Sequence, residues 1–370
     1  MSDLRTIEVI DQALVDQCES EVPRGHLGLS GIAEPDIRTQ WLKFRWSLPD
    51  TPPGRTLRIF NMGNMVEDEV VRILKVAGFD VWEVDPDTGK QFNFKFFGGH
   101  FAGSADGVVR GIPETEKPLL LEIKSAKSSK FKELQKFRKE SLNDNEALQK
   151  WNKSYYGQVQ CYMPNLGLGL SLFVVYNKDT SELITMIIEP EKYFWEGMKE
   201  TGLRILEATA PPASTFPNRN WFEIKKYKSE EYQRVYWGDQ LPEPNCRNCL
   251  FAEPVLDEDR VDAAWRCKFL DCERSLEQQC KGCPDHLFIR EMVPAEHVQD
   301  HIQDGAIEYK TFDGERFFNA SQMDFAKTIF TSKELAEVSK QGLTKDTLFD
   351  PITSELREEF HGRIISVKEV

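Results

Sequence analysis

A strong amphipathic periodicity runs over residues 62–77, where Val71 and Leu74 fall on one stripe and Asp68, Arg72 and Lys75 on the other. Glu67 lies on the apolar stripe, at i, i+4 and i+7 with Val71 and Leu74, and an acid there needs a reason. Gly63, one turn earlier, is expected to let a neighbour approach closely. Before this helix, residues 36–46 carry helical spacing and residues 49–54 (PDTPPG) read as a loop. After it, residues 79–97 predict a strand, a turn over 85–89 and a second strand. Two further runs, 105–110 and 119–125, have strand composition, and Gly111, Ile112, Pro113, Lys117 and Pro118 punctuate the link between them. Residues 151–163 predict a helix stopped by Pro164, with Gln158 and Tyr162 one turn apart. An apolar hairpin over 168–176 and 183–189 and a long amphipathic helix over 191–208 complete one α/β core.

The remainder is less regular. Residues 211–217 read as a linker, and residues 221–237 interleave aromatics with lysines as a packed helix would. A hairpin at Asp313-Gly314 within 306–319 and a helix over 332–340 are expected near the end. The implied organisation is an N-terminal helical segment (1–55), a core (56–210), a linker and helix (211–243), a cysteine-rich module (244–290) and a C-terminal region (291–370) to which no chemistry is assigned.

Composition narrows the function classes. The chain has 370 residues, room for one large domain with an appendage or for two. No apolar run approaches the roughly 20 residues of a membrane span, and Met1-Ser2-Asp3-Leu4-Arg5 does not open a signal peptide, so no membrane association is expected. A net charge of −14 argues against coating nucleic acid by bulk electrostatics, so any such binding needs a local basic strip. Residues 124–139 supply one, with seven basic residues and one acid, which suits phosphate contact better than a merely solvated face. Arg38, Lys43 and Arg45, by contrast, read as the solvated face of a short helix.

The chemistry centres on the two strand-like runs. An antiparallel pairing centred on Glu114 sets Asp106 opposite Glu122, where Cβ atoms lie about 5 Å apart. Residues i and i+2 share a face, so Asp106, Glu122 and Lys124 converge on one spot. Two carboxylates there suit a hard divalent cation, Mg²⁺ or Mn²⁺, and Glu67 is read as a third carboxylate delivered by the preceding helix.

Six of the eight cysteines lie between Cys246 and Cys283, which in a cytoplasmic chain suggests metal ligation rather than disulfides. Cys246-Arg247-Asn248-Cys249 has the spacing of a metal knuckle, and Cys267, Cys272, Cys280, Cys283 and His286 exceed what four-coordinate Zn²⁺ requires. The preferred set is Cys246, Cys249, Cys267 and Cys283, with Cys280 or His286 as substitutes, holding a structural Zn²⁺.

Asp106, the Glu122-Ile123-Lys124 run, Glu67 on a preceding helix and the Gln158 and Tyr162 pair on a following one resemble the PD-(D/E)XK nuclease superfamily, in particular its RecB-like and lambda-exonuclease-like branch of phages and bacteria. The resemblance covers roughly residues 30–210. Ala105 stands where the name-giving proline would be, and Glu67 where many RecB-like members have histidine. The resemblance implies a restriction-endonuclease-like core, a mixed central sheet flanked by helices, acting as a metal-dependent deoxyribonuclease on DNA ends, on linear duplex or single strands, in replication, repair or recombination in the cytosol of a bacterium or of a phage's host. It further implies that Asp106, Glu122 and the Ile123 carbonyl hold Mg²⁺ or Mn²⁺, that Glu67 holds a second ion or orients its waters, that Lys124 positions the attacking water or stabilises the transition-state charge, and that Gln158 and Tyr162 fix Lys124 or a phosphate. Some RecB-like nucleases carry a four-cysteine iron–sulfur cluster, the alternative to zinc, but the early ligand that cluster needs is replaced here by Asp36 and Ile37. Rival expectations are a noncatalytic nucleic-acid-binding scaffold docking a protein partner through the cysteine-rich or C-terminal region, and a site-specific endonuclease.

Overall fold

The structure, a computed structural model, describes residues 5–366 apart from 22, 35, 50, 222, 223, 225–227 and 322–326. The chain divides into two compact units, Met1–Glu34 with Thr51–Leu203 and Pro35–Asp50 with Arg204–Val370. Up to residue 207 the elements are α1 (Thr6–Ser20), β1 (Leu27–Gly28), α2 (Leu29–Ile32), α3 (Ile37–Phe44), α4 (Gly54–Val76), β2 (Asp80–Trp82), β3 (Asn93–Phe96), β4 (Phe101–Ser104), β5 (Gly107–Arg110), β6 (Leu119–Ala126), α5 (Ser128–Glu140), α6 (Asp144–Trp151), α7 (Lys153–Asn165), β7 (Ser171–Asn177), β8 (Leu183–Ile188) and α8 (Phe194–Glu207).

The first unit is built on a mixed five-stranded sheet in the order β2-β5-β6-β7-β8, with β6 and β7 parallel and the other pairs antiparallel. Strand β6 lies at its centre, and its apolar run Leu119-Leu120-Leu121 is buried because both faces are covered. Leu119, Leu121 and Ile123 pack with Val66, Val70 and Val71 of α4. By the alternation of a strand, Leu120, Glu122 and Lys124 face the other way, where Gln158 of α7 meets Glu122. A separate three-stranded sheet, β1-β4-β3, carries the segment that leads into β5. The strand, turn and strand expected over 79–97 are present, but their strands part company: β2 joins the central sheet and β3 the small one.

Three sequence expectations need correction here. Helix α4 begins at Gly54, not near Met62, so Gly54 belongs to a helix rather than a loop. Pro53 takes the N-cap position, and α1 crosses so closely here that a Cβ on Gly54 would stand 2.5 Å from the Cα of Asp11, while Arg58 pairs with Asp11. Gly63 admits no close neighbour, since a Cβ there would meet nothing within 4 Å. The apolar stripe of α4 is covered only from Val66 onward, and Ile59, Phe60, Met62 and Met65 are exposed. Finally, the helix expected over 151–163 is two helices. Trp151 ends α6, Asn152 breaks the chain and caps α7 by accepting a 3.0 Å bond from the Tyr155 N–H, and Pro164 sits inside the last turn of α7.

In the second unit, α3 is capped by Asp36, a buried carboxylate that also accepts from Thr215 and from the Tyr236 hydroxyl. The segment read as a linker is thereby pinned at Thr215. Arg38 and Arg45 are not solvated: Arg38 donates to the Tyr236 and Pro212 carbonyls and Arg45, buried, to those of Arg247 and Ala252. A three-stranded antiparallel sheet (Ala252–Val255, Ala264–Cys267, Cys272–Arg274) and a four-stranded sheet (Glu296–His301, Ala306–Lys310, Arg316–Ala320, Ile329–Phe330) follow. The hairpin expected at Asp313-Gly314 is present, pairing Lys310 with Arg316, and the helix near the end spans Ser332–Ser339. Of the helix expected over 221–237, Glu230–Trp237 is seen with Tyr232, Val235 and Tyr236 buried, whereas Phe222, Glu223 and residues 225–227 lie outside the described residues. Among the described residues no helix is long and apolar enough to cross a membrane.

Candidate active site

The register of β5 on β6 pairs Gly107 with Leu121 and Val109 with Leu119. Extended by one residue it sets Asp106 against Glu122, the pairing expected about Glu114. The ladder stops at Gly107, however, and the Asp106 side chain turns to accept a 2.7 Å hydrogen bond from the Ile123 N–H. The N–H and C=O of one extended residue project to the same edge of its strand. The Ile123 carbonyl therefore faces the side on which Asp106 sits, just beyond the end of β5.

Glu122 is fully buried. Its Oε1 accepts from the Lys124 ammonium and, at 2.6 Å, from Gln158 Nε2, while its Oε2 is buried with no hydrogen-bond partner among the described residues. Burial and the Asp106 charge push Glu122 up to about 8, against the opposing pull of Lys124. Asp106 is raised by burial. Glu67 is raised to about 7, by burial first and then by Asp106. Lys124 is held above its ordinary range because Glu122 and Asp106 together outweigh its own desolvation. The acids titrate as a coupled set, and at neutral pH the metal-free cluster holds protons that ordinary carboxyls would have lost.

The sequence-predicted residues thus come together from four elements: Glu67 from α4 on one face, Glu122 and Lys124 from β6, Gln158 and Tyr162 from α7 on the other face, and Asp106 from the loop before β5. Gln158 bonds to Glu122, not to Lys124. Tyr162 lies against β4, where a Cβ on Gly103 would stand 2.6 Å from its hydroxyl, and its ring meets that of Phe94 in a tilted contact at 4.9 Å between centroids. Burial, and then the Glu122 charge, raise its phenol. Two contributors escaped the sequence reading. Gly103 leaves the space that Tyr162 fills. Tyr155 offers its ring to Lys124, with Nζ 5.4 Å from the centroid. Its signal was available, since 155, 158 and 162 share one helical face.

The basic run forms α5, anchored by buried Phe131 and Leu134. Lys130, Lys136 and Arg138 pair with Glu133, Glu140 and Asp144, while Lys127, Lys132 and Lys139 are exposed.

In the second unit, Cys246 opens a short 3₁₀ turn, Cys249 follows it, Cys267 ends one strand opposite Cys272, and Cys280 and Cys283 flank the end of the helix Leu276–Lys281. Burial raises the thiols of Cys246, Cys249 and Cys283, and the charges of neighbouring thiols, Cys267 among them, raise each further. His286 is buried and bonded through Nε2 to Asn248 at 2.9 Å. Among the described residues no group of three or more His, Cys, Asp or Glu side chains is gathered closely enough to hold a metal ion as it stands. By donor chemistry alone, two kinds of cation would suit the residues. The orphaned Glu122 oxygen and the mutually repelling carboxylates suit a hard ion, and the thiols that act on one another suit a thiophilic one.

No family model and no curated protein matches the sequence. Among solved structures, SSO0001 is similar over 55% of this chain and 87% of its own at 12% identity and a TM-score of 0.33. LHK-Exo in complex with dAMP is similar over 54% of this chain and 90% of its own, at 16% identity and a TM-score of 0.33. An alkaline exonuclease (LHK-Exo) from Laribacter hongkongensis is similar over 49% of this chain and 86% of its own, also at 16% identity and 0.33. At this degree of similarity no property is carried from them to this chain.

Proposed function

We propose that this chain is a metal-dependent deoxyribonuclease that hydrolyses phosphodiester bonds from DNA ends. The observation that carries the proposal is the cluster of Glu67, Asp106, Glu122 and Lys124, with one buried carboxylate oxygen left unpartnered. Three acids brought together by the fold, with Asp106 raising both Glu67 and Glu122, are expensive to keep without a ligand.

Hydrolysis of a phosphodiester needs a nucleophile at neutral pH, relief of charge on the phosphate and help for the leaving alkoxide. Asp106, Glu122 and the Ile123 carbonyl would hold Mg²⁺ or Mn²⁺, with Glu67 holding a second ion or its waters. A cation bound there lowers the pKa of water and draws off negative charge. Lys124, kept cationic by the acids around it, places a compact positive charge where the phosphate arrives. Gln158 holds Oε1 of Glu122, so that Oε2 keeps one direction. Tyr162 closes the side of the site toward β4. The exposed lysines Lys127, Lys132 and Lys139 suit phosphates and carry no sequence information, which favours end-dependent degradation over site-specific cutting. The thiols Cys246, Cys249, Cys267 and Cys283 would hold a structural Zn²⁺ that stabilises the second unit. The site of action would be the cytoplasm.

The test is incubation of the purified protein with end-labelled linear DNA and covalently closed circular DNA, with Mg²⁺ or Mn²⁺ and with chelator. Linear DNA should be degraded only with metal, steeply less at higher salt because several phosphates are contacted, and circles should survive. Discrete fragments from circles at the linear rate would replace the exonuclease reading with a site-specific endonuclease. DNA binding without cleavage under any metal would leave a scaffold on this fold.

A further inference from the structure

Resting on the nuclease reading above, we infer that Tyr155 is the positioning residue for Lys124, its ring face keeping the ammonium aimed at the scissile phosphate. Lys124 stands on a flexible four-carbon stem, and among the described residues its nitrogen meets Oε1 of Glu122 and faces the ring of Tyr155, whose centroid lies 5.4 Å away, with the Asp106 charge acting on it as well. The first of these is contested. Oε1 of Glu122 also accepts from Gln158 at 2.6 Å, and a divalent cation held by the same carboxylate draws on the same electron density. When the site is loaded, the pull of Glu122 on Lys124 weakens. The attraction of the ring's quadrupole for the ammonium does not depend on Glu122 and is strongest when desolvated.

The ring is itself held. Trp151 lies 5.7 Å and Phe173 6.2 Å from it between centroids, and those two are 6.5 Å apart, so three aromatic side chains fix one another. Trp151 is fixed by its indole N–H, which donates 3.0 Å to the Lys130 carbonyl, and the backbone of Tyr155 by its N–H bond to Asn152 at 3.0 Å. The break at Asn152, which splits α6 from α7, sets where the face bearing Tyr155, Gln158 and Tyr162 begins. The contact that carries the proposal is the ring face, and Tyr155→Phe separates it from the hydroxyl.

The test compares Tyr155→Phe, Tyr155→Leu and Tyr155→Met with the wild-type chain by two readouts. In Mg²⁺-dependent cleavage of linear DNA, Tyr155→Phe should keep kcat within about twofold, while the Leu and Met variants lose about three- to thirtyfold in kcat with KM nearly unchanged, the span of a desolvated cation–π contact. In metal-free protein labelled at lysine Cε, the Lys124 resonance, assigned by its loss in Lys124→Ala, should carry an upfield ring-current shift in the wild type and Tyr155→Phe and lose it in the Leu and Met variants. Unchanged kcat in Leu and Met, equal losses in Phe and Leu, or a Lys124 resonance insensitive to all three would each overturn the inference. A wild-type chain that cleaves nothing would remove the nuclease reading instead, and the resonance would still decide whether Tyr155 holds Lys124.

Discussion

Gln158 on α7 donates a 2.6 Å hydrogen bond to Oε1 of Glu122, a carboxylate 36 residues earlier that is wholly buried. The bond ties the helix on one face of the sheet to the acid at its centre, and it leaves Oε2 without a hydrogen-bond partner among the described residues, where the proposed cation would bind. Gln158→Leu should therefore weaken Mn²⁺ binding by about 10- to 100-fold, as loss of a partner behind a metal ligand does. Titration of the metal-free protein with Mn²⁺, followed by electron paramagnetic resonance, checks it. An unchanged affinity would show that Glu122 is oriented without Gln158.

Glu122→Gln and Lys124→Ala should each lower cleavage by about 10² to 10³, the usual loss when one electrostatic contributor to a transition state is removed. Asp106→Asn should behave similarly and bind DNA somewhat more tightly, with one fewer charge opposing phosphate. Circular dichroism should show a retained fold. Full activity of Glu122→Gln with added Mg²⁺ would dismiss the site.

The raised carboxyls make the stability of the metal-free protein depend on pH with a definite sign. In the folded chain Glu67 and Glu122 sit near about 7 and about 8, above the ordinary 4.5, so between those values the folded state binds more protons than the unfolded one. Stability is then greatest at the acid end of the window and falls as pH rises from about 4.5 through about 8. A bound cation displaces these protons, so its affinity rises over the same window and its stabilising effect is largest at the alkaline end. Thermal unfolding in chelator and in Mn²⁺ at pH 5, 6, 7 and 8 checks both slopes.

Cys246→Ser or Cys249→Ser should unfold the cysteine-rich module before it alters the chemistry at Glu122, because a structural metal contributes folding free energy directly. Elemental analysis should find zinc near one per chain in a colourless sample, and limited proteolysis should cut first within 244–290 in the variants. A brown anaerobic preparation with stoichiometric iron would replace zinc with an iron–sulfur cluster.

Much of the site is written in local pattern, and the structure shows why. The pairing about Glu114 is legible because Gly111 and Pro113 break the chain between two strand-like runs and the period of two then fixes which residues oppose. Glu67 is legible because an acid on an apolar helical stripe contradicts its neighbours. The hairpin at Asp313-Gly314 follows from turn chemistry in the same way. What the chain could not disclose locally is every feature set by a distant partner. The close approach that Gly54 permits is set by α1 crossing at Asp11. Arg38 and Arg45 look solvated by composition, yet Arg38 is half-buried and Arg45 buried, each bonded to segments more than 160 residues away. The choice of Glu122 rather than Lys124 as the partner of Gln158, and of Tyr155 as the neighbour of Lys124, was made by packing α7 against β6. Periodicity reports which face a residue is on, and only the assembled sheet and helices decide what that face meets.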